Sequence, residues 1–116
     1  MLIRISDDVG RPLYEQVAAS VRAEILAGRA GPGDHLPPAR EVGAALDINV
    51  HTVLRAYQVL RDEGLVDLRR GRGAVISPAA APLAALAHDI RSLVDRAAAL
   101  GVSPATLAAL VKETSA

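Results

Sequence analysis

The sequence predicts a mainly α fold with one small β-hairpin, and three observations carry that expectation. Apolar residues recur at helical spacing through most of the chain, while only residues 65–77 read as a pair of short strands around an arginine-glycine turn. The two tyrosines are the only aromatics, with no Phe or Trp, so Leu, Val, Ile and Ala must build the core. Small aliphatic side chains of this kind suit helix-on-helix packing better than a sandwich of sheets. At 116 residues and 51% hydrophobic content, the chain is one small domain with an appendage.

Arg11-Pro12 precedes a first helix in which Leu13, Val17, Val21 and Ile25 recur every four residues, with Ala18 beside them, and Gly28 ends it. Gly31-Pro32-Gly33-Asp34 is a turn. Leu36 then runs extended into Pro37, because the residue before a proline is pushed out of the helical region. A short second helix covers 38–46, with proline in its first turn and Val42, Ala45 and Leu46 facing inward. Asp47-Ile48-Asn49 makes a tight turn whose Asn49 caps a third helix. Its apolar residues Val50, Val53, Tyr57 and Leu60 step by three and four to Gly64, and His51, Thr52, Arg55 and Gln58 occupy the opposite side.

Leu65 to Arg69 and Ala74 to Ser77 read as two strands joined through Gly71 and Gly73, either of which supplies the positive φ a tight hairpin needs. Ser77-Pro78-Ala79-Ala80-Ala81-Pro82 breaks the pattern. Beyond it Leu83, Leu86, Ile90, Leu93, Ala97 and Leu100 alternate spacings of three and four, which is a packing seam. Gly101 stops that helix, and Ser103-Pro104 opens a last one carrying Leu107, Leu110 and Val111. Two helices of this size enclose no pocket of ordinary ligand volume, so their apolar faces need another surface. A second copy of the chain is the simplest supply, and folding back onto the first helix is the alternative. The expected organisation is therefore a first domain over 1–77, a linker over 78–82 and a helical dimerisation tail over 83–116.

Helix, turn, helix and basic hairpin in this order are what a winged helix-turn-helix needs to hold double-stranded DNA. One helix supports the turn, the next lies in the major groove, and the hairpin carries positive charge to a neighbouring phosphate or minor groove. Thirteen Lys and Arg balance thirteen Asp and Glu, so the total charge does not mark a nucleic-acid binder. The distribution does. Arg69, Arg70 and Arg72 stand together without an acid, while Asp7, Asp8, Glu15, Glu24 and Asp34 fall in the first third of the chain. Specific contacts must therefore carry more of the binding than in a strongly basic protein.

Several classes are excluded. With no Cys there are no disulfides, thiolate zinc sites or cysteine nucleophiles, and His35, His51 and His88 match no common metal-ligand spacing. No cofactor, metal or catalytic constellation is expected, so the chain is not an enzyme. No stretch approaches the ~20 apolar residues of a membrane span and the N-terminus lacks a signal-peptide pattern, which suggests a soluble, cytoplasmic protein. A winged helix presenting its third helix to another protein is the remaining alternative.

Leu13-Tyr14-Glu15-Gln16-Val17, Pro32-Gly33-Asp34, Leu36-Pro37-Pro38-Ala39-Arg40-Glu41, Thr52-Val53, Ala56-Tyr57, Leu60, Glu63-Gly64-Leu65 and Arg70-Gly71-Arg72-Gly73 together resemble the GntR family of bacterial transcription regulators. The resemblance spans roughly 12–77. The short two-helix tail, in place of a large effector domain, is similar to the YtrA-like subfamily. What the resemblance implies is a homodimeric repressor on an inverted-repeat operator, controlling its own operon, often beside a transport system. It leaves room for a small-molecule effector that the sequence does not identify.

By position, the resemblance implies operator contacts from Arg40, Asn49, His51, Thr52, Arg55, Arg70, Gly71 and Arg72. Dimerisation falls to Leu83, Leu86, Ile90, Leu93, Ala97, Leu100 and Leu107. The competing role for Arg40 is an ordinary surface pair with Glu41 or Glu63. Leu54 and Val50 depart from the family, standing where many relatives carry polar or basic residues; Leu54 either touches a thymine methyl or packs under the second helix.

Overall fold

Pro12, at φ −55° and ψ 145°, is extended and leads directly into α1 (Leu13–Leu26), whose Val17, Ala18, Val21 and Ile25 are buried. Leu13, expected at the head of that stripe, is exposed. A side chain at the first helical position leans toward the helix N-terminus, past the layer it would join. The computed structural model describes residues 1–7, 10–71 and 73–115. Gln16 is buried in place of Leu13: its Oε1 accepts from the Ser6 N–H at 2.7 Å and its Nε2 donates to the Arg11 carbonyl at 3.1 Å. Ser20 Oγ accepts from the Arg4 N–H at 2.9 Å. These bonds lay the N-terminal segment along α1 with Ile3 inward.

α2 (Ala39–Leu46) and α3 (Val50–Asp62) are joined by a turn with two steric requirements. Asp47 closes α2 in the left-handed region at φ 55°, a conformation that short polar side chains tolerate. The Ile48 N–H then donates to the Gly43 carbonyl at 2.9 Å. A Cβ on Gly43 would lie 3.0 Å from the Ile48 carbonyl oxygen and 3.5 Å from Val50 Cα, so glycine is what lets the two helices approach. Ala45, expected inward, is exposed. In this eight-residue helix the buried arc narrows to Val42, Gly43 and half of Leu46, and Ala45 lies outside it.

Asn49 caps α3 as expected, its Oδ1 accepting from the His51 N–H at 2.8 Å. Val53, Ala56, Tyr57 and Leu60 are buried against α1 and α2, and Val50 is half-buried. Gly64, at φ +82°, reverses the chain, and the Leu65 N–H reaches back to the Leu60 carbonyl at 3.0 Å. Ser77 Oγ donates to the Gly64 carbonyl at 2.5 Å, which binds the far end of the hairpin to this corner.

β1 (Val66–Arg69) pairs antiparallel with β2 (Gly73–Ile76) in a register running from Val66 opposite Ile76 to Arg69 opposite Gly73. Gly71 and Gly73 both adopt positive φ, at 78° and 69°. Residues 34–36 run beside β2 as a short edge: the Ile76 N–H donates to the Asp34 carbonyl at 2.8 Å and the Leu36 N–H to the Ala74 carbonyl at 2.9 Å. The extended reading of Leu36 thus has a partner. Val66, Ala74 and Ile76 face the core, and Leu68 near the tip is exposed.

The chain divides into two units, residues 1–84 and 85–116. Residues 78–82, read from the sequence as linker, include a single 3-10 turn, Pro78–Ala80, with Ala80 buried. Leu83, at the start of α4 (Leu83–Ala99), packs against the core of the first unit. In the second unit Gly101 turns the chain at φ +79° into α5 (Pro104–Thr114), and Ser103 Oγ accepts from the Thr106 N–H at 3.2 Å as its cap. Ala97 is buried there, and Leu86, Ile90, Leu93, Val94, Leu100, Leu110 and Val111 are exposed.

Tyr57 is the one buried aromatic, and its hydroxyl donates to the Pro37 carbonyl at 2.6 Å, holding α3 against the entry to α2. Burial pushes its phenol well above the ordinary value of about 10. A raised folded-state value means that the stabilisation is complete below pH ~10 and is lost as pH rises beyond it, by up to about 1.4 kcal/mol per pH unit. Tyr57→Phe should cost about 1 kcal/mol at neutral pH through the lost hydrogen bond. Denaturant titrations at pH 8 and 11 should then show the gap between the two proteins closing in alkali.

Candidate nucleic-acid interface

The burial of Val53, Ala56, Tyr57 and Leu60 decides what α3 offers to solvent. Residues three and four apart share a helix face, so His51, Leu54, Arg55 and Gln58 emerge together, and all four are exposed. Thr52, on the flank of this row, is half-buried. Of the two roles open to Leu54, exposure favours the outward one: the residue is 41% exposed and is not part of the core cluster.

Arg55 is held from behind. Its guanidinium carbon lies 3.8 Å from the centroid of the Tyr14 ring on α1, a cation–π contact. Tyr14 is half-buried against the core, so the contact ties an exposed cation of α3 to a fixed ring. Sequence reasoning missed this partnership. The pair lies 41 positions apart in the chain, and helical spacing within either element carries no sign of it.

Arg40 is exposed in the first turn of α2 and has no carboxylate partner among the described residues. Glu63, its suggested partner, is taken by Arg22: Arg22 Nε donates to Glu63 Oε1 at 2.8 Å, and a second guanidinium nitrogen bonds the other oxygen. That pair joins α1 to the end of α3 and raises the Arg22 guanidinium further above its already high ordinary value, chiefly through the hydrogen bond. Half-exposed pairs of this sort add little stability, ~0 to 1 kcal/mol. Here the consequence is that Arg40 keeps its charge for another partner.

In the hairpin, Arg69 lies 3.7 Å from Asp67 on its own strand, whereas Arg70 is exposed and forms no ion pair among the described residues. Gly71 is exposed beside it, and Arg72 lies outside the described residues. Asn49 and His51 share the N-terminal turn of α3, where Asn49 Oδ1 is engaged as the cap. No group of three or more His, Cys, Asp or Glu among the described residues is placed to hold a metal ion. No described helix is long and apolar enough to cross a membrane.

The profile of the bacterial regulatory proteins of the gntR family matches residues 13–76, from the start of α1 to the end of β2. The chain belongs to the GntR family. The match takes in the whole helix-turn-helix and hairpin, and this GntR protein is a DNA-binding transcriptional regulator of winged-helix architecture. The tail is shared as well: the HTH-type transcriptional repressor YtrA of Bacillus subtilis is 32% identical over 99% of this chain and 93% of its own length. Among solved structures, a GntR family transcriptional regulator from Listeria monocytogenes superposes with a TM-score of 0.65 at 26% identity, covering 94% of this chain and 98% of its own. YtrA from Sulfolobus acidocaldarius, a GntR-family transcription factor, gives 0.61 at 31% identity over 85% of this chain and 99% of its own. All three are regulators by name, and no enzyme activity attaches to the family.

Charge at the hairpin has a measurable signature. Each phosphate neutralised by a cation contributes about 0.9 to the slope of log affinity against log salt concentration. Arg70→Ala should flatten the slope on duplex DNA by about that amount for each bound protomer and leave the melting temperature nearly unchanged, because an exposed arginine with no ion pair among the described residues does little for folding. An unaltered slope would mean that Arg70 does not touch the backbone.

Proposed function

We propose that this GntR-family regulator is a repressor that binds an inverted-repeat operator as a homodimer, acting in the cytoplasm. The observation that carries the proposal is the row His51, Leu54, Arg55 and Gln58 left exposed on α3, together with Arg40 and Arg70, both exposed and without an ion pair among the described residues. A helix with one face anchored in a core and the other polar is what the major groove admits, with its N-terminal residues at the base edges. Arg40, Asn49, His51, Thr52 and Arg55 are assigned to the groove and its flanking phosphates, and Arg70, Gly71 and Arg72 to the adjacent backbone. The name of the Bacillus relative, a repressor similar along nearly the whole chain, supports the direction of control.

The tail supports the dimer. Leu86, Ile90, Leu93 and Val94 lie along one side of α4, and Leu100, just past its end, is 77% exposed. Leu83 is engaged with the core of its own chain and Ala97 is buried, so the proposed contact rests on the other seam residues, with Leu107, Leu110 and Val111 of α5 beside them. Each aliphatic side chain taken fully out of water contributes ~1.5 to 3 kcal/mol. A twofold axis through such a stripe buries it on both copies and brings two recognition helices into one complex.

Gel retardation of a duplex selected from a random pool, paired with sedimentation, tests both parts. Arg40→Ala and Thr52→Ala should each weaken binding by about 1 to 3 kcal/mol while the protein remains dimeric. Full-length protein carrying Ile90→Glu and Leu93→Glu should sediment as a monomer and lose tight binding. Unchanged affinity in the first two would remove α2 and α3 from the interface, and a dimer that survives both glutamates would move the contact elsewhere.

A further inference from the structure

We infer that Leu54 reads the C5-methyl group of a thymine in each operator half-site, and so acts as a specificity determinant. The inference rests on the proposal that α3 enters the major groove. Leu54 is 41% exposed and is the only aliphatic residue in the row it shares with His51, Arg55 and Gln58. Its neighbours at minus three, plus one and plus four positions all carry hydrogen-bonding or charged groups, which match phosphates and base edges; an isobutyl group matches neither. In the major groove the one apolar feature is the thymine methyl, which A·T presents and G·C lacks.

The placement within α3 favours such a contact. Leu54 is the fifth residue of the helix, and helical side chains lean toward the N-terminus, so its methyl groups cover the turn that His51 opens. The N-terminal end of a recognition helix is the part that reaches base edges. Arg55, next to it, is drawn aside onto Tyr14 at 3.8 Å, so its guanidinium is held on the α1 side. Along the row, Leu54 then lies between His51, toward the N-terminal end, and Gln58, one turn further on.

Deoxyuridine in place of thymine tests this, because it removes the methyl group and leaves the hydrogen-bonding edges unchanged. Wild-type protein is titrated onto a duplex selected from a random pool, then onto versions with each thymine singly replaced. One replacement in each half-site should weaken binding about fourfold, roughly the value of one methyl group returned to water. Leu54→Ala, an exposed substitution compatible with helix, should fold normally and bind the thymine duplex at least fourfold more weakly than wild type. For this variant the same replacement should make no difference. The inference is overturned if no thymine shows the effect, or if the effect persists undiminished in Leu54→Ala. A protein that selects no duplex at all overturns the DNA-groove proposal itself, which is a separate and recognisable result.

Discussion

The two-sidedness of α3 is the constraint on which the rest of the structure depends. Val53, Ala56, Tyr57 and Leu60 form one stripe that α1 and α2 cover, and every residue on the opposite side is thereby aimed at solvent. Rotating the helix by one residue, about 100°, would bring Leu54 and Arg61 toward the core and expose Val53 and Leu60. Burying a charge and exposing two aliphatic side chains are both costly, so the packing that stabilises the domain also selects the residues it presents.

That orientation is transmitted to the hairpin through backbone hydrogen bonds. Gly64 turns the chain out of α3 into β1, Ser77 closes back onto the Gly64 carbonyl, and residues 34–36 pair with β2. The hairpin is therefore held at its base on two sides, and Arg70 and Gly71 lie at its opposite end. At the other end of α3, the close approach of Gly43 to Ile48 and the left-handed Asp47 set the angle between α2 and α3. Hydrophobic burial supplies the stability here, and a few special backbone positions supply the geometry.

Most elements were legible from spacing and punctuation, because each helix has an apolar period and a proline, asparagine, serine or glycine at its boundary. Asn49 as a cap, Gly64 as a stop and Gly71 and Gly73 as turn residues all follow from local chemistry. Leu13 and Ala45 misled because periodicity gives a face but not where along that face a neighbour ends. The N-terminal segment latched by Gln16, the Tyr14 ring beneath Arg55 and the taking of Glu63 by Arg22 were not legible. Each joins residues whose proximity only the tertiary fold creates. For the interface, residue type and family resemblance nominated the positions, and Leu54 joined them because much of its side chain stays open to solvent.

The proposed dimer would relate two α3 faces by a twofold axis, and such an arrangement must leave its symmetry in the DNA it chooses. Selection from a random duplex pool with the full-length protein, followed by sequencing, reads that symmetry directly. The expected result is enrichment of two inverted half-sites whose centres lie one helical turn, about 10 base pairs, or a whole multiple of it apart. Enrichment of a single asymmetric site, or no enrichment over the starting pool, would contradict the paired-helix mode of recognition.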